Sequence, residues 1–581
     1  RLGAAYAVNT AGGILGSFLA GFALIPWLGL PWAIVVAALV NLLAAALLYV
    51  RFEARRTVPI RIGLSGLLVA HAAGLAAFGI VPAWQQHAFA AGVYLYADQL
   101  QQAPAQEGAG AQLLYYRDGL NATVSVHQDA DTTFLRVGGK TDASNGTDMG
   151  TQVLSAHVPL LMHPDPRRVL VIGLGSGVTL GHAARHPVSL VHCAEIEPAV
   201  IEGARYFKEE NYGVHEDPKV SLVAADGRNF LRATRQEYDV IISEPSNPWM
   251  AGVAALFTRE FYALAKRRLA PDGVMCQWLQ LYGLFPRDVK LMLKTFHEAF
   301  PHVSVWSPVP GDLLLVGSMA PQQVTYRELA ERMARPAVRE SLAVVHAERP
   351  DVLLQLFWLG TREVEAVTAD IGWVHEDDQP SIEFNAPKSL YASGTLRLNS
   401  EGLQRFKSPP QALVPDYEPA DEDAEFHRAL ATLWSFRRQD KQALEALERA
   451  AALDPSSGET WTRVGTLAFE QQPLKAQEAL QAAVRLDPGN AAALRLLAWL
   501  SRRAGRLEEA GTLYRRAVSA QRPDGMFAAE LGSFLRDTGQ LPLAVECYRS
   551  AMSLGGGERP GFLLAYGRAL NELQAWELGE Q

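Results

Sequence analysis

Cysteine is nearly missing: Cys193, Cys276 and Cys547 are the only three in 581 residues, and they lie far apart. That excludes a disulfide framework and a thiolate zinc site. There is no basic tract and the formal net charge is −9, which argues against a nucleic-acid partner. Charge is absent from residues 3–50, and no signal-peptide cleavage pattern follows that stretch. Asn121 and Asn145 open glycosylation-type triplets, but nothing else points to secretion and they read as chance matches. Residue 1 is Arg rather than Met, so we expect a fragment of a longer product. The length suggests roughly three to five domains.

What is present begins with apolar helices. Leu2 to Leu28 and Pro31 to Val50 are each long enough to cross a bilayer, with a Pro/Trp/Gly turn between them. Gly12, Gly13, Gly16 and Gly21 give the first a small-residue face suited to close helix packing. A loop carrying Arg51, Arg55, Arg56 and Arg61 follows and should face the cytoplasm. Ile62 to Val81 reads as a third span interrupted by His71. A third crossing would put the rest of the chain outside the cell. From Gly92 to Val137, four short strands are expected at Val93–Tyr96, Leu113–Tyr116, Ala122–His127 and Thr133–Val137.

The organising stretch is Arg168 to Pro198. Val169 to Ile172 reads as a buried parallel strand, followed by Gly173-Leu174-Gly175-Ser176-Gly177 and a helix from about Val178. A second strand ends on Glu195, 22 residues after the first glycine. Ligands of such sheets lie over the carboxyl ends of the strands, glycines admit close backbone approach, and a carboxylate can accept both ribose hydroxyls. The dinucleotide pattern needs glycine at 178, where Val178 stands. A nucleoside of the S-adenosylmethionine type is therefore favoured over NAD.

Strands at Val220–Ala224, Tyr238–Ile242 and Gly273–Gln277 then alternate with helices, and two more are expected near Val303–Trp306 and Asp312–Gly317. This implies a mostly parallel sheet covered on both faces. His375-Glu376-Asp377-Asp378 reads as a solvated loop rather than a metal site. Pro409, Pro410, Pro415 and Pro419 mark a linker. Beyond it, Asp454-Pro455 and Asp487-Pro488 recur 33 residues apart. Small residues recur in phase with them, as in Ala443/Leu447/Ala450 and Ala476/Leu480/Ala483, which is the tetratricopeptide pattern.

Residues 137–285 resemble the spermidine synthases, the polyamine aminopropyltransferase family. The resemblance rests on His163-Pro-Asp-Pro-Arg-Arg-Val-Leu-Val-Ile-Gly, Ala194-Glu195-Ile196-Glu197, Asp226-Gly227 and Tyr238-Asp239-Val240-Ile241-Ile242. The layout is similar to bacterial fusions of a membrane region, this domain and tetratricopeptide repeats. The resemblance implies a multidomain chain: transmembrane helices, an α/β Rossmann-like methyltransferase/spermidine synthase domain, and an all-α tetratricopeptide solenoid. The expected boundaries are 1–85 membrane helices, 90–146 small β region, 147–320 nucleoside-binding domain, 321–408 helical extension, 409–421 linker and 422–581 repeats.

The implied reaction is aminopropyl transfer from decarboxylated S-adenosylmethionine to a polyamine such as putrescine, with no metal. By resemblance, Gly173, Gly175 and Gly177 lie under the nucleoside, Glu195 on its ribose, Asp226 at the adenine amino group and Gln152 near both substrates. Glu244 falls at the catalytic acid position. The family's loop acid is Ser176 here, and the second acid of its catalytic turn is Asn247. Ser176, Asn247, Trp249, Gln277 and Tyr282 are the expected substrate-binding residues, with Trp249 able to offer its face to a cation. Two alternatives stay open: an S-adenosylmethionine-dependent methyltransferase, and a non-catalytic membrane scaffold that recruits a protein partner through its repeats. The expected location is the bacterial inner membrane, multi-pass and in contact with lipid. Substrate supply places the catalytic domain in the cytoplasm, and the loop charges place it outside.

Overall fold

The computed structural model describes residues 2–52, a few positions between 66 and 96, and residues 111–520, 525–554 and 560–579. The described chain forms two compact units, residues 1–417 and 418–581.

The first unit opens with the helix Leu2–Leu19, a π-helical turn Ala20–Leu24 and the helix Ile25–Phe52. Two spans separated by a turn were expected. The break falls at Gly29, between the two expected segments, where the backbone leaves helical geometry (φ 78°, ψ 161°) and kinks the helix. Pro31 follows within a turn of this break, where the missing N–H of proline does least harm. Tyr6–Leu47 is one helix long and apolar enough to cross a membrane. The expected third span, Ile62 to Val81, falls almost wholly outside the described residues.

A four-stranded antiparallel meander comes next: β1 (Gln112–Asp118), β2 (Thr123–Asp129), β3 (Thr132–Val137) and β4 (Lys140–Ser144). The expected strand at Val93–Tyr96 is instead a helical turn, with the amides of Leu95 and Tyr96 bonded to the carbonyl of Gly92. The Tyr96 hydroxyl accepts the amide N–H of Thr141 in β4. Tertiary contact with the meander thus decides the conformation of a four-residue segment whose aromatic content favours a strand.

The main sheet has eight strands. They are β5 (Arg168–Ile172), β6 (Leu190–Glu195), β7 (Val220–Ala224), β8 (Tyr238–Ser243), β9 (Leu269–Gln280), β10 (His302–Trp306), β11 (Asp312–Ser318) and β12 (Phe357–Leu359). Their order is β12-β10-β11-β9-β8-β5-β6-β7. The five from β7 to β9 are parallel and the last three pair antiparallel, so the sheet is mixed. The chain reverses its direction of travel across the sheet between β5 and β8, the switch point where open α/β sheets hold ligands. Within residues 321–408, expected as a helical extension, Phe357–Leu359 adds the outer edge strand.

The segment read as a solvated loop is pinned. His375 is fully buried, Asp377 makes a two-pronged ion pair with Arg228 (2.9 and 2.6 Å), and Glu376 pairs with Arg259 at 2.7 Å.

Among its described residues the second unit has four helix pairs, from Ala424–Phe436 with Asp440–Leu453 to Gly525–Asp537 with Leu541–Ser553, and a final helix Pro560–Gly579. Small residues let the paired helices approach. A Cβ on Gly465 would stand 2.5 Å from Leu480, and one on Gly532 would stand 3.1 Å from the Tyr548 ring.

Candidate active site

The glycine turn leaves β5 with Gly173, Gly175 and Gly177 all at positive φ (93°, 55° and 81°). A Cβ at Gly173 would lie 2.5 Å from the carbonyl oxygen of Glu244, so the turn from β5 and the turn from β8 touch backbone to backbone. The amide of Glu244 donates to the carbonyl of Ile172 at 3.0 Å, and the Asn211 side chain holds the Ser176 carbonyl at 2.9 Å.

Glu195 ends β6 beside this turn. Its carboxylate accepts the amide N–H groups of Leu174 and Glu197, both at 2.8 Å. Burial pushes the carboxyl up to about 7, against the pull of those two donors. Each oxygen keeps a lone pair, which is what a vicinal diol requires. Asp226 follows β7, the next strand over, and its Oδ1 caps the helix Gly227–Ala233 through the amide of Asn229 at 2.8 Å.

Glu244 is half-buried with its carboxyl turned inward, and burial pushes that carboxyl up to about 8. Thr179, in the helix Val178–Ala184, lies with its Oγ1 2.5 Å from Glu244 Oε2 and 2.9 Å from the Gln152 carbonyl. One hydroxyl hydrogen serves one acceptor. A protonated Glu244 donates to Thr179, which then donates to Gln152, and all three are satisfied. Gln152 gathers the rest: its Oε1 accepts the Ser176 hydroxyl, and its Nε2 donates to the Ser144 carbonyl (2.9 Å) and to Asp148 (3.2 Å). The structure therefore brings Gln152, Ser176, Glu195 and Glu244 together around the glycine turn.

Three further carboxylates stand here that the sequence patterns did not single out. Asp148 accepts the amide (2.7 Å) and hydroxyl of Ser144, and burial raises its carboxyl. Asp312, at the start of β11, accepts the Thr151 hydroxyl at 2.6 Å, and burial pushes it up to about 6. Asp142 forms an ion pair with Lys140 and accepts the Ser246 hydroxyl at 2.8 Å. Burial pulls Lys140 down, but Asp142 together with Tyr282 and Tyr96 raises it overall. Asp312 and Asp148 in turn help to raise Glu244.

The far wall comes from the turn after β8 and the end of β9. Asn247 is fully buried, with its Nδ2 3.5 Å from the Tyr282 hydroxyl, which burial pushes up to about 12. Trp249 packs against Tyr282, ring centres 6.0 Å apart. Gln277 bonds through its Nε2 to the Trp278 carbonyl at 3.0 Å. Ser243 Oγ, Asn247 Oδ1, Trp249 Nε1, Gln277 Oε1 and both polar atoms of Gln280 are buried without partners. Each such group costs about 1–3 kcal/mol, and their concentration along one wall is what a polar ligand would relieve. A separate cavity of about 280 Å3, lined by residues including Arg228, His375, Asp377 and Glu383, includes none of the expected site residues. Among the described residues no group of three His, Cys, Asp or Glu is arranged to hold a metal ion.

Fold and turn define a Rossmann-like α/β domain with its polar site at the strand tips. Residues 150–314 match the family model of the spermine/spermidine synthase domain, and residues 470–525 match a tetratricopeptide repeat. The chain carries both. The spermidine synthase of Dictyostelium discoideum is 35% identical over 170 residues, 29% of this chain and 60% of its own. The polyamine aminopropyltransferase of Thermotoga petrophila is 40% identical over 153 residues, 26% of this chain and 51% of its own. The solved spermidine synthase of Thermotoga maritima is 28% identical, with 36% of this chain and 73% of its own covered at a TM-score of 0.33. The chain thus spans between half and three-fifths of these two curated relatives.

Proposed function

We propose that the protein transfers the aminopropyl group of decarboxylated S-adenosylmethionine to a polyamine acceptor such as putrescine, as the names of its relatives suggest. The observation that carries this reading is a cleft holding Glu195, Glu244, Asp148 and Asp312, all raised by burial. The ammonium of Lys140, beside it, is already committed to Asp142. Buried carboxyls in want of cations suit a cationic donor and a cationic acceptor.

In this reading Gly173, Gly175 and Gly177 floor the nucleoside, Glu195 takes the ribose hydroxyls, and Asp226 offers its free oxygen to the adenine amino group. An alkyl ammonium has a pKa of about 10.4 and arrives protonated. Entry of the two cations ionises Glu244, which then holds the ammonium, accepts its proton and frees the nitrogen lone pair to attack the carbon next to the sulfonium. The carbon–sulfur bond breaks, its electrons neutralise the sulfur, and methylthioadenosine leaves. Holding the two cations together supplies much of the acceleration. Asn247, Trp249, Gln277 and Tyr282 form the wall, with Ser176 and Gln152 orienting both partners.

One observation favours a second reading. The ammonium of Lys140 would attract the carboxylate of ordinary S-adenosylmethionine, as a methyltransferase needs. Titration calorimetry with both nucleosides decides: tighter binding of the decarboxylated form supports aminopropyl transfer, and tighter binding of the carboxylated form supports methylation. Binding of neither leaves the scaffold.

The same proposal places the chain at a membrane. Tyr6, Val8, Trp27 and Leu47 are each at least 70% exposed on the apolar helix, a surface suited to lipid. Anchoring as a multi-pass protein of a bacterial inner membrane, with a cytoplasmic catalytic domain and a protein partner on the repeats, completes the reading. The domain limits expected from the sequence, including a linker at 409–421, stand as part of it.

A further inference from the structure

Asp312 begins β11 directly opposite Gln280, the last residue of β9, in an antiparallel ladder. Directly opposed residues point to the same face, so the two side chains share one pocket. Both are buried, Gln280 fully. Neither polar atom of Gln280 has a partner. Asp312 Oδ2 takes the Thr151 hydroxyl at 2.6 Å, and Thr151 adjoins Gln152, whose own side chain reaches Ser176. Asp312 is also near enough to Glu244 to help raise its carboxyl, so the two acids belong to one neighbourhood.

A hydrogen bond to Thr151 does not by itself require a carboxylate, since an amide would serve without the cost of burying a charge. An ammonium has three N–H donors, and the pocket offers three acceptors: Asp312 Oδ1, Gln280 Oε1 and the Thr151 oxygen. Lys140, the nearby cation, is held by Asp142 and by the Thr141 carbonyl at 3.2 Å. Thr151, Trp278 and Lys140 all pull the Asp312 carboxyl down, yet burial still raises it; with Lys140 committed to Asp142, an incoming ammonium would complete the pocket.

Resting on the aminopropyl-transfer reading, we propose that Asp312, with Gln280 and Thr151, seats the far ammonium of an α,ω-diamine while Glu244 handles the near, reacting nitrogen. The two carboxyls together then set the length of the acceptor.

The test compares kcat/KM for 1,3-diaminopropane, putrescine, cadaverine and n-butylamine in the full chain. Wild type should favour putrescine over n-butylamine, and Asp312→Asn should lower that ratio at least about tenfold. Asp312→Glu, one methylene longer, should move the preferred diamine one methylene shorter, which a merely structural residue would not do. Equal losses on both amines in Asp312→Asn, or an unmoved length preference in Asp312→Glu, would overturn the seat. If wild type turns over no amine, the same comparison is made by calorimetry on protein saturated with methylthioadenosine. An Asp312-dependent preference for putrescine then keeps the seat while transfer falls, and no such preference overturns it.

Discussion

Thr179 Oγ1 lies 2.5 Å from Glu244 Oε2, so the helix that starts under the glycine turn reaches the acid at the tip of β8. In the proposed reaction this contact fixes where a proton leaves the incoming amine. Glu244→Gln keeps the shape and the contact with Thr179 but cannot accept the proton. We expect kcat to fall about 100-fold or more, with nucleoside affinity within a fewfold of wild type by calorimetry. Undiminished turnover in this variant would remove Glu244 from the mechanism.

The raised carboxyls make the free protein sensitive to alkali. Glu195 and Glu244 hold their protons to about pH 7 and 8 in the folded state, whereas the unfolded chain releases them near pH 4–5. Their contribution is complete below that range and is lost as pH rises through 7 and 8. The buried histidines His157, His182 and His186 are lowered by burial, so their contribution is full above about pH 6.5 and lost below it. Between pH 6.5 and 8.5 the carboxyls dominate. Thermal melting of the free protein should drop across this window, and Glu244→Gln should flatten the drop. A melting temperature that climbs instead would show the carboxyls to be ionised throughout.

Gly173 adopts φ 93° with the Glu244 carbonyl 2.5 Å from where a Cβ would sit. Gly173→Ala must push the two turns apart. The expected cost is about 1–3 kcal/mol in denaturant unfolding, together with loss of nucleoside binding. A variant that binds methylthioadenosine normally would mean the turns have slack.

In the repeat unit, Leu480 is fully buried and clasps Gly465. Leu480→Ala should cost about 2–5 kcal/mol, seen as faster amide exchange in the helices Gly458–Ala468 and Pro473–Leu486. Exchange in β5 and β6 serves as the internal control.

Much of this architecture was legible because its signals are local. The apolar run before Gly173, the acid at 195 and the 33-residue period of Asp-Pro pairs each sit in one continuous stretch. Asp142, Asp148 and Asp312 were not legible, because they converge from β4, the cap of the helix Met149–Met162 and the start of β11. Asp148 precedes a helix and Asp312 follows a Pro-Gly turn, places where aspartate is common for local reasons. The short strand Phe357–Leu359 was missed for a related reason, since three residues show no period and gain their state from pairing with β10. The segment 375–378 looked solvated because its partners, Arg228 and Arg259, lie more than a hundred residues away.

The central claim is chemical. The most direct measurement incubates the full chain with decarboxylated S-adenosylmethionine and a panel of di- and polyamines, and follows both products by mass spectrometry. The account predicts methylthioadenosine released in step with an amine lengthened by one aminopropyl group. Methylated product from ordinary S-adenosylmethionine, or no methylthioadenosine with any amine, would contradict it.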